Sequence, residues 1–327
     1  MVNQGITNGQ GESPRPIESA DEHRCGFVAV SGRPNVGKST LVNRIVGREL
    51  CIVTPKAQTT RNRIAAIHSL SNAQMILVDS PGIHEAVTPL NRAMVSAAVQ
   101  ALENSDVAVL VTTPSEEIPS DDRRIIEVLK SVGVKSVLVI NKIDLIDPVK
   151  LLPVMEAYGK AHRFEEIVPI SALHCSGVQE LVDALVRLLP PGPPLYPEDD
   201  VSDLPLRFFV AEIIREQVTT LTGQEVPYKT TVVVESFKER QGITLIQADI
   251  HTERQSQKKI LVGSGGEMIK RIGIAARKKI EEFLESRVRL ELYVKVTPHW
   301  TRDHARLMEF GYMPPQDSGR GSRRHKG

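Results

Sequence analysis

Nine residues, Gly32-Arg33-Pro34-Asn35-Val36-Gly37-Lys38-Ser39-Thr40, stand between an apolar run at 27–30 and a segment whose apolar residues recur at helical spacing. They fit G-x-x-x-x-G-K-[ST], and no other feature restricts the fold so much. A strand that turns through glycines into a helix aims backbone N–H groups and a helix N-terminus at one point, which makes an anion cradle. In this pattern Lys38 reaches the outer phosphates and Ser39 can ligate Mg²⁺. An ordinary turn could match by chance, so the neighbouring strands must carry motifs that agree.

They do. Apolar runs at 27–30, 75–78, 107–111, 137–140 and 167–170 alternate with helical patterns starting at Ser39 and spanning about 89–102, 120–132 and 178–189. Continuous apolar strands separated by helices predict an α/β unit with a mostly parallel sheet covered on both faces. The strand at 75–78 runs into Asp79-Ser80-Pro81-Gly82, a D-x-x-G sequence. Its carboxylate could hold Mg²⁺ through water, and its glycine N–H could sense a γ-phosphate. The strand at 137–140 runs into Asn141-Lys142-Ile143-Asp144, and the one at 167–170 into Ser171-Ala172-Leu173. A buried Asp144 could accept from guanine N1–H and N2–H₂, donors that adenine lacks, and an unpaired acceptor discriminates strongly. Each short motif is weak alone; in this order, each at a strand's carboxyl end, they specify a guanine nucleotide. In the loop between the first two motifs, Thr60, or failing it Thr59, could complete the Mg²⁺ shell.

With 327 residues the chain is long enough for two domains. Pro190-Pro191-Gly192-Pro193-Pro194, followed by Pro197 and Pro205, predicts a stiff extended joint. Beyond it are a helix at about 207–221, strands at 229–237 and 243–250, a periodic helix from about 267, a strand at 289–296 and a short helix at about 301–310. Gly263-Ser264-Gly265-Gly266 fits G-x-x-G amid Lys258, Lys259, Lys270, Arg271, Arg277 and Lys278. Such a loop lets a nucleic-acid backbone approach closely. Charge agrees: residues 1–200 hold 19 Lys+Arg against 24 Asp+Glu, whereas 201–327 hold 22 against 16. A basic second half points to a polyanion. Polar, apolar-poor stretches at 1–22 and 314–327 predict a disordered leader and a disordered basic tail. The expected units are therefore 23–190, a joint at 191–205, and 206–313.

The order of G-R-P-N-V-G-K-S-T, K-A-Q-T-T-R, D-S-P-G, N-K-I-D, S-A-L, a proline-rich joint and G-S-G-G resembles the Era family of GTPases, from about residue 27 to 312. The resemblance implies a Ras-like P-loop GTPase domain followed by a smaller α+β type II KH domain. It implies GTP and GDP as ligands, Mg²⁺ as cofactor, and binding of small-subunit ribosomal RNA in maturation of the pre-30S subunit. Lys38, Thr60 and Gly82 would carry catalysis, with Lys258, Lys259, Lys270 and Arg271 on RNA. Where the family's G-x-x-G loop usually has a lysine, this chain has Ser264, which should weaken affinity and its salt dependence.

Many GTPases place a glutamine after D-x-x-G to orient water; here Ile83 stands there, so slow intrinsic turnover is expected. The next residue, His84, reads as a base or as a surface histidine. Asn35 matches an asparagine that holds potassium against the phosphates in related GTPases, or it satisfies loop backbone. Trp300 or Tyr312 could stack on a base or pack the C-terminal segment. A tRNA-modification GTPase would need a helical domain and a C-terminal cysteine, and neither motif is found in the sequence. An RNA-binding protein with an inert nucleotide domain disagrees with intact Lys38, Ser39 and Asp79. Cys25, Cys51 and Cys175 read as small buried thiols of a reducing compartment. No apolar run approaches the roughly 18 residues of a membrane span. The expectation is a cytoplasmic monomer, with peripheral contact at the inner face of the cell membrane open to its basic patch.

Overall fold

The computed structural model describes residues 23–313 apart from 57, 58, 84 and 116. The expected leader, the basic tail and His84 lie outside the described residues. The first unit comprises β1 (Arg24–Ser31), α1 (Lys38–Val46), β2 (Ile64–Ser69), β3 (Ala73–Asp79), α2 (Pro89–Glu103), β4 (Val107–Thr112), α3 (Ser120–Val132), β5 (Lys135–Ile140), α4 (Leu151–Ala161), β6 (Glu166–Pro169) and α5 (Val178–Leu188). The sheet runs β2-β3-β1-β4-β5-β6, with β2 antiparallel and the other pairs parallel. Every residue of β3 and β4 is buried, because helices cover both faces.

Two elements depart from the expected set. β2 (Ile-Ala-Ala-Ile-His-Ser) has little β-branched content, and its edge position comes from pairing with β3 rather than from propensity. α4 carries Pro153 in its first turn, where the absent N–H had no intrahelical partner to lose. The proline-rich joint is bound along the sheet edge rather than hanging free. Buried Gln74 accepts from the backbone N–H groups of Leu195 and Tyr196 at 2.8 and 2.9 Å and donates to Tyr196 O at 2.8 Å.

The second unit comprises α6 (Leu206–Leu221), β7 (Thr230–Arg240), β8 (Ile243–Thr252), α7 (Gln255–Val262), α8 (Glu267–Leu284), β9 (Arg287–Val296) and α9 (His304–Glu309). Its sheet is β7-β8-β9, antiparallel then parallel. Apolar faces of α6 (Val210, Ile214, Val218) and α8 (Ile272, Ala276, Ile280) close over Ile246, Ala248 and Ile250. The expected helix, two strands, periodic helix and strand are present, with α7 before the G-x-x-G loop. No helix among the described residues is long and apolar enough to cross a membrane.

The expected helix at 301–310 divides into a 3₁₀ turn, Trp300–Arg302, and α9. Trp300 is fully buried with Leu307 against Leu90 and Met94 of α2, and its indole N–H donates to Lys229 O at 3.0 Å. Tyr312 stacks on it at 5.8 Å and shares a hydrogen bond with Thr231 Oγ1. Of the two readings of Trp300, packing is the one the structure shows: its face is spent on joining the two units. Cys25 and Cys51 are buried as expected, whereas Cys175 is exposed. Removing the indole should open a large void, so Trp300→Ala is expected to cost about 3–5 kcal/mol, measured as a lower midpoint in urea. A midpoint within error of the parent's would show that this seam carries little stability.

Candidate nucleotide site and nucleic-acid interface

The loop from β1 enters α1 at Gly37, whose φ of 100° lies in the left-handed region. A Cβ there would lie 2.3 Å from the Asn141 amide nitrogen, so glycine is required. Lys38 is buried, its ammonium donating to Gly32 O at 2.9 Å and Arg33 O at 3.1 Å. Burial pushes its pKa down to about 8, opposed by the carboxylates of Asp79 and Asp122. Pro34, Asn35, Lys38, Ser39, Thr40, Thr60, Gly82 and Lys142 line a cavity of about 370 Å³. Val36 and Arg33 face away from it. Val36 is in the core, and Arg33 braces the loop from behind, donating to Thr113 Oγ1 at 2.6 Å and lying 3.4 Å from Asp122 Oδ2. That same oxygen accepts from Thr112 Oγ1 and Tyr158 OH at 2.6 and 2.7 Å. Sequence reading missed this brace, since Thr112, Asp122 and Tyr158 belong to no spaced motif.

At the floor, Asp79 Oδ2 accepts from Ser39 Oγ at 2.7 Å and Thr60 Oγ1 at 3.2 Å, and the two hydroxyls are 3.0 Å apart. Asp79 Oδ1 is buried with no hydrogen-bond partner among the described residues. Burial pushes the Asp79 carboxyl up, and the Lys38 ammonium and the two hydroxyls pull it down. An oxygen-only group with an orphaned carboxylate atom beside phosphate-facing donors fits a small hard cation, Mg²⁺. Thr59 turns elsewhere, its hydroxyl donating to Lys56 O. Asn35, at φ 63°, donates from Nδ2 to Pro55 O at 3.2 Å. Ser80 and Pro81 are buried behind the loop, Ser80 Oγ donating to Val30 O. Ile83 is buried in the core beside α2 and offers nothing to a water molecule.

At the other end, Asn141 joins three loops. Its Nδ2 donates to Val36 O at 2.8 Å, and its Oδ1 accepts from Lys142 N and Ala172 N at 2.8 and 2.9 Å. Lys142 Nζ donates to Asn35 O. Asp144 is exposed, not buried as the sequence reading supposed. It follows β5 on a 3₁₀ turn that leaves it at the rim, where a stacked base rather than protein would cover it. Ser171 Oγ donates to it at 2.5 Å and lowers its pKa, keeping it an ionised acceptor. Leu173 is exposed beside it.

On the second unit, Gly263 has φ 74°, and a Cβ there would come 2.8 Å from Met268 N. Gly265 and Gly266 have open space around them, and Ser264 is exposed with them. Lys259, Lys270 and Arg271 are exposed and Lys258 half-buried. Next to the loop, Ile269, Gly273, Ile274, Leu290 and Leu292 line a groove of about 300 Å³ flanked by Lys270 and Arg277. An apolar floor between cations suits bases attached to phosphates. Sequence reading found the cations but missed this floor, whose β9 half lies far along the chain. On the β7–β8 sheet, Glu235, Asp249 and His251 converge within 4.8 Å, but Asp249 is ion-paired with Lys295 and the group is already compensated.

A phosphate loop, an acidic cation floor and a guanine-type acceptor, followed by a G-x-x-G groove, define a P-loop GTPase that carries a KH domain. The family model described as 50S ribosome-binding GTPase matches residues 27–142, and the KH domain model matches 225–301. The chain is 49% identical to the GTPase Era of Syntrophus aciditrophicus, over 88% of this chain and 95% of that one. It is 48% identical to that of Geotalea uraniireducens, over 89% and 98%. A crystal structure of a tyrosine-to-alanine variant of Aquifex aeolicus Era bound to GDP·AlF₄⁻ superposes with a TM-score of 0.85 at 39% identity, covering 88% of this chain and 99% of that one. A structure of Era in complex with MgGDPNP and nucleotides 1506–1542 of 16S ribosomal RNA gives 0.86 at 40% identity, covering 89% and 99%. The chain belongs to the family of Era GTPases and is a GTP-hydrolysing enzyme.

Lys38 makes binding pH-dependent. Free, it titrates near 8; a bound phosphate raises that value, so at higher pH the complex holds a proton that the free chain has lost. Affinity for GDP is therefore expected to fall by up to about tenfold per unit as pH rises through 8, where the terminal phosphate of GDP, with a second pKa of about 6, is already ionised. Calorimetry in buffers of different ionisation enthalpy should detect proton uptake on GDP binding at about pH 8.5. Equal enthalpies in all buffers at the higher pH would contradict it.

Proposed function

We propose that this chain is a GTP-driven switch that grips small-subunit ribosomal RNA through its second unit and acts in maturation of the pre-30S subunit. The observation that carries this reading is the occurrence, in one chain, of a guanine-type site and a basic G-x-x-G groove. A nucleotide-binding unit at 23–190, a joint at 191–205 and an RNA-binding unit at 206–313 divide the work. The chain acts as a cytoplasmic monomer. Its basic face also has the charge to rest on an anionic membrane surface, which is a secondary destination.

In this reading residues 32–40 wrap the phosphates, Lys38 neutralises charge developing on the transferred phosphoryl group, and the Gly82 N–H senses its presence. Ser39, Thr60 and, through water, Asp79 would hold Mg²⁺, which would supply charge neutralisation at the phosphates. Asp144 accepts from guanine while Asn141, Lys142, Ser171, Ala172 and Leu173 shape the base pocket. Slow intrinsic turnover follows from Ile83, which cannot hydrogen-bond to the attacking water. Potassium held by Asn35 would make up part of this deficit, and turnover should then be faster in potassium than in sodium. Identical rates in the two salts, unaffected by Asn35→Asp, would remove the second cation.

On the RNA side, Gly263, Ser264, Gly265 and Gly266 admit the backbone, with Lys258, Lys259, Lys270 and Arg271 on phosphates. Filter binding of an RNA spanning nucleotides 1506–1542 of 16S ribosomal RNA should be tighter with a non-hydrolysable GTP analogue than with GDP. Lys270→Ala and Arg271→Ala should each shallow the log–log salt slope by roughly 0.7. Equal affinity in both nucleotide states, or unchanged slopes, would oppose the proposal.

A further inference from the structure

The loop that bears Thr60 is held less by its own domain than by the next one. Arg215, on α6, is 2% exposed. It is paired with Glu212 through Nε and Nη2 at 2.7 and 2.6 Å, and Nη2 also donates to Thr59 O at 2.6 Å. A buried guanidinium is costly unless its donors are met, and here one of them is met by the loop of the other unit. On the other side of Thr60, buried Arg61 places its two terminal nitrogens on Thr230 O and Pro227 O, each at 2.7 Å. Lys56 Nζ meets the carbonyls of Thr219 and Thr222 at the end of α6, where helix carbonyls favour a cation. The residues on either side of Thr60 are thus anchored to the second unit, while Thr60 Oγ1 itself faces Ser39 and Asp79.

We infer that Arg215 is a positioning residue for GTP hydrolysis: held by Glu212, it fixes the carbonyl of Thr59 so that Thr60 is presented to the Mg²⁺ position. Arg61 completes the clamp from the loop's own side. This rests on the reading of Thr60 as a Mg²⁺ ligand and adds that the RNA-binding unit supplies the part that orders it. The fork matters as well as the charge. A lysine at 215 could still pair with Glu212 but could not simultaneously span its carboxylate and the Thr59 carbonyl with planar geometry. Coupling is reciprocal: whatever loosens the clamp weakens the Mg²⁺·GTP state, and loss of that state releases α6.

The test uses the full chain. Arg215→Lys retains a cation beside Glu212. The double variant Glu212→Gln with Arg215→Met removes the buried pair together, so that no charge is stranded and folding is protected. Single-turnover hydrolysis should slow about tenfold in both, the Mg²⁺ concentration for half-maximal rate should rise about tenfold, and GDP affinity should stay within about twofold. A role confined to interface stability would lower the melting temperature and leave the Mg²⁺ requirement unchanged. Parental rate and Mg²⁺ requirement in both variants would overturn the inference. A parental chain that bound no GDP would instead overturn the nucleotide reading beneath it.

Discussion

Asp79 has no exposed atom, and the site depends on how its carboxylate is met. It ends β3, lies within electrostatic reach of Lys38, and draws the hydroxyls of Ser39 and Thr60 to one oxygen. Those three oxygen-bearing residues come from the helix after the phosphate loop, from a strand end and from a long connection. The carboxylate therefore sets where α1 begins and where the loop at 54–61 must pass. Its remaining oxygen has no partner among the described residues, which leaves a directed position for a hard cation. The nearby Cys51 thiol, pushed well up by burial and by this carboxylate, stays protonated and does not compete as a thiolate ligand.

The same constraint explains the domain arrangement. A loop that must bring Thr60 to Asp79 exposes its other side, and that side is covered by α6 and the turn before β7 through Arg215, Arg61 and Lys56. Farther along, Trp300 and Leu307 pack on α2. Lys279 of α8 reaches Glu216 at 3.0 Å and Glu49 of the first unit at 3.9 Å. Among the contacts between the two units is the loop that also serves the cation, which puts α6 in direct contact with the backbone beside Thr60. α6 packs directly on α8, the helix that lines the basic groove.

Much of this was legible in the sequence because the residues concerned carry their chemistry in side chains at fixed spacings. Lys38, Asp79, Asn141 and Asp144 each follow an apolar run, and period and composition together located the sheet edge. The periodicity of α8 likewise located the second core. What could not be read was set by partners without sequence identity. Arg61 and Arg215 bind carbonyls 156 to 169 positions away, and a carbonyl looks alike at every residue. The choice between Thr59 and Thr60 depends on which hydroxyl faces Ser39, a matter of backbone path. Asp144 reads as buried if the pocket is imagined filled, yet the protein alone leaves it at the rim. Trp300 looks the same in sequence whether it stacks on a base or on Leu90.

Lys56, Thr59 and Arg61, on the loop that carries Thr60, belong physically to both units. Hydrogen exchange of the full chain, followed in the Mg²⁺·GTP-analogue and GDP states, tests it most directly. Amides at 59–61 and amides at the end of α6 and at 228–230 are expected to gain and lose protection together as the nucleotide changes. Exchange that changed at 59–61 while 215–230 stayed the same in both states would contradict it.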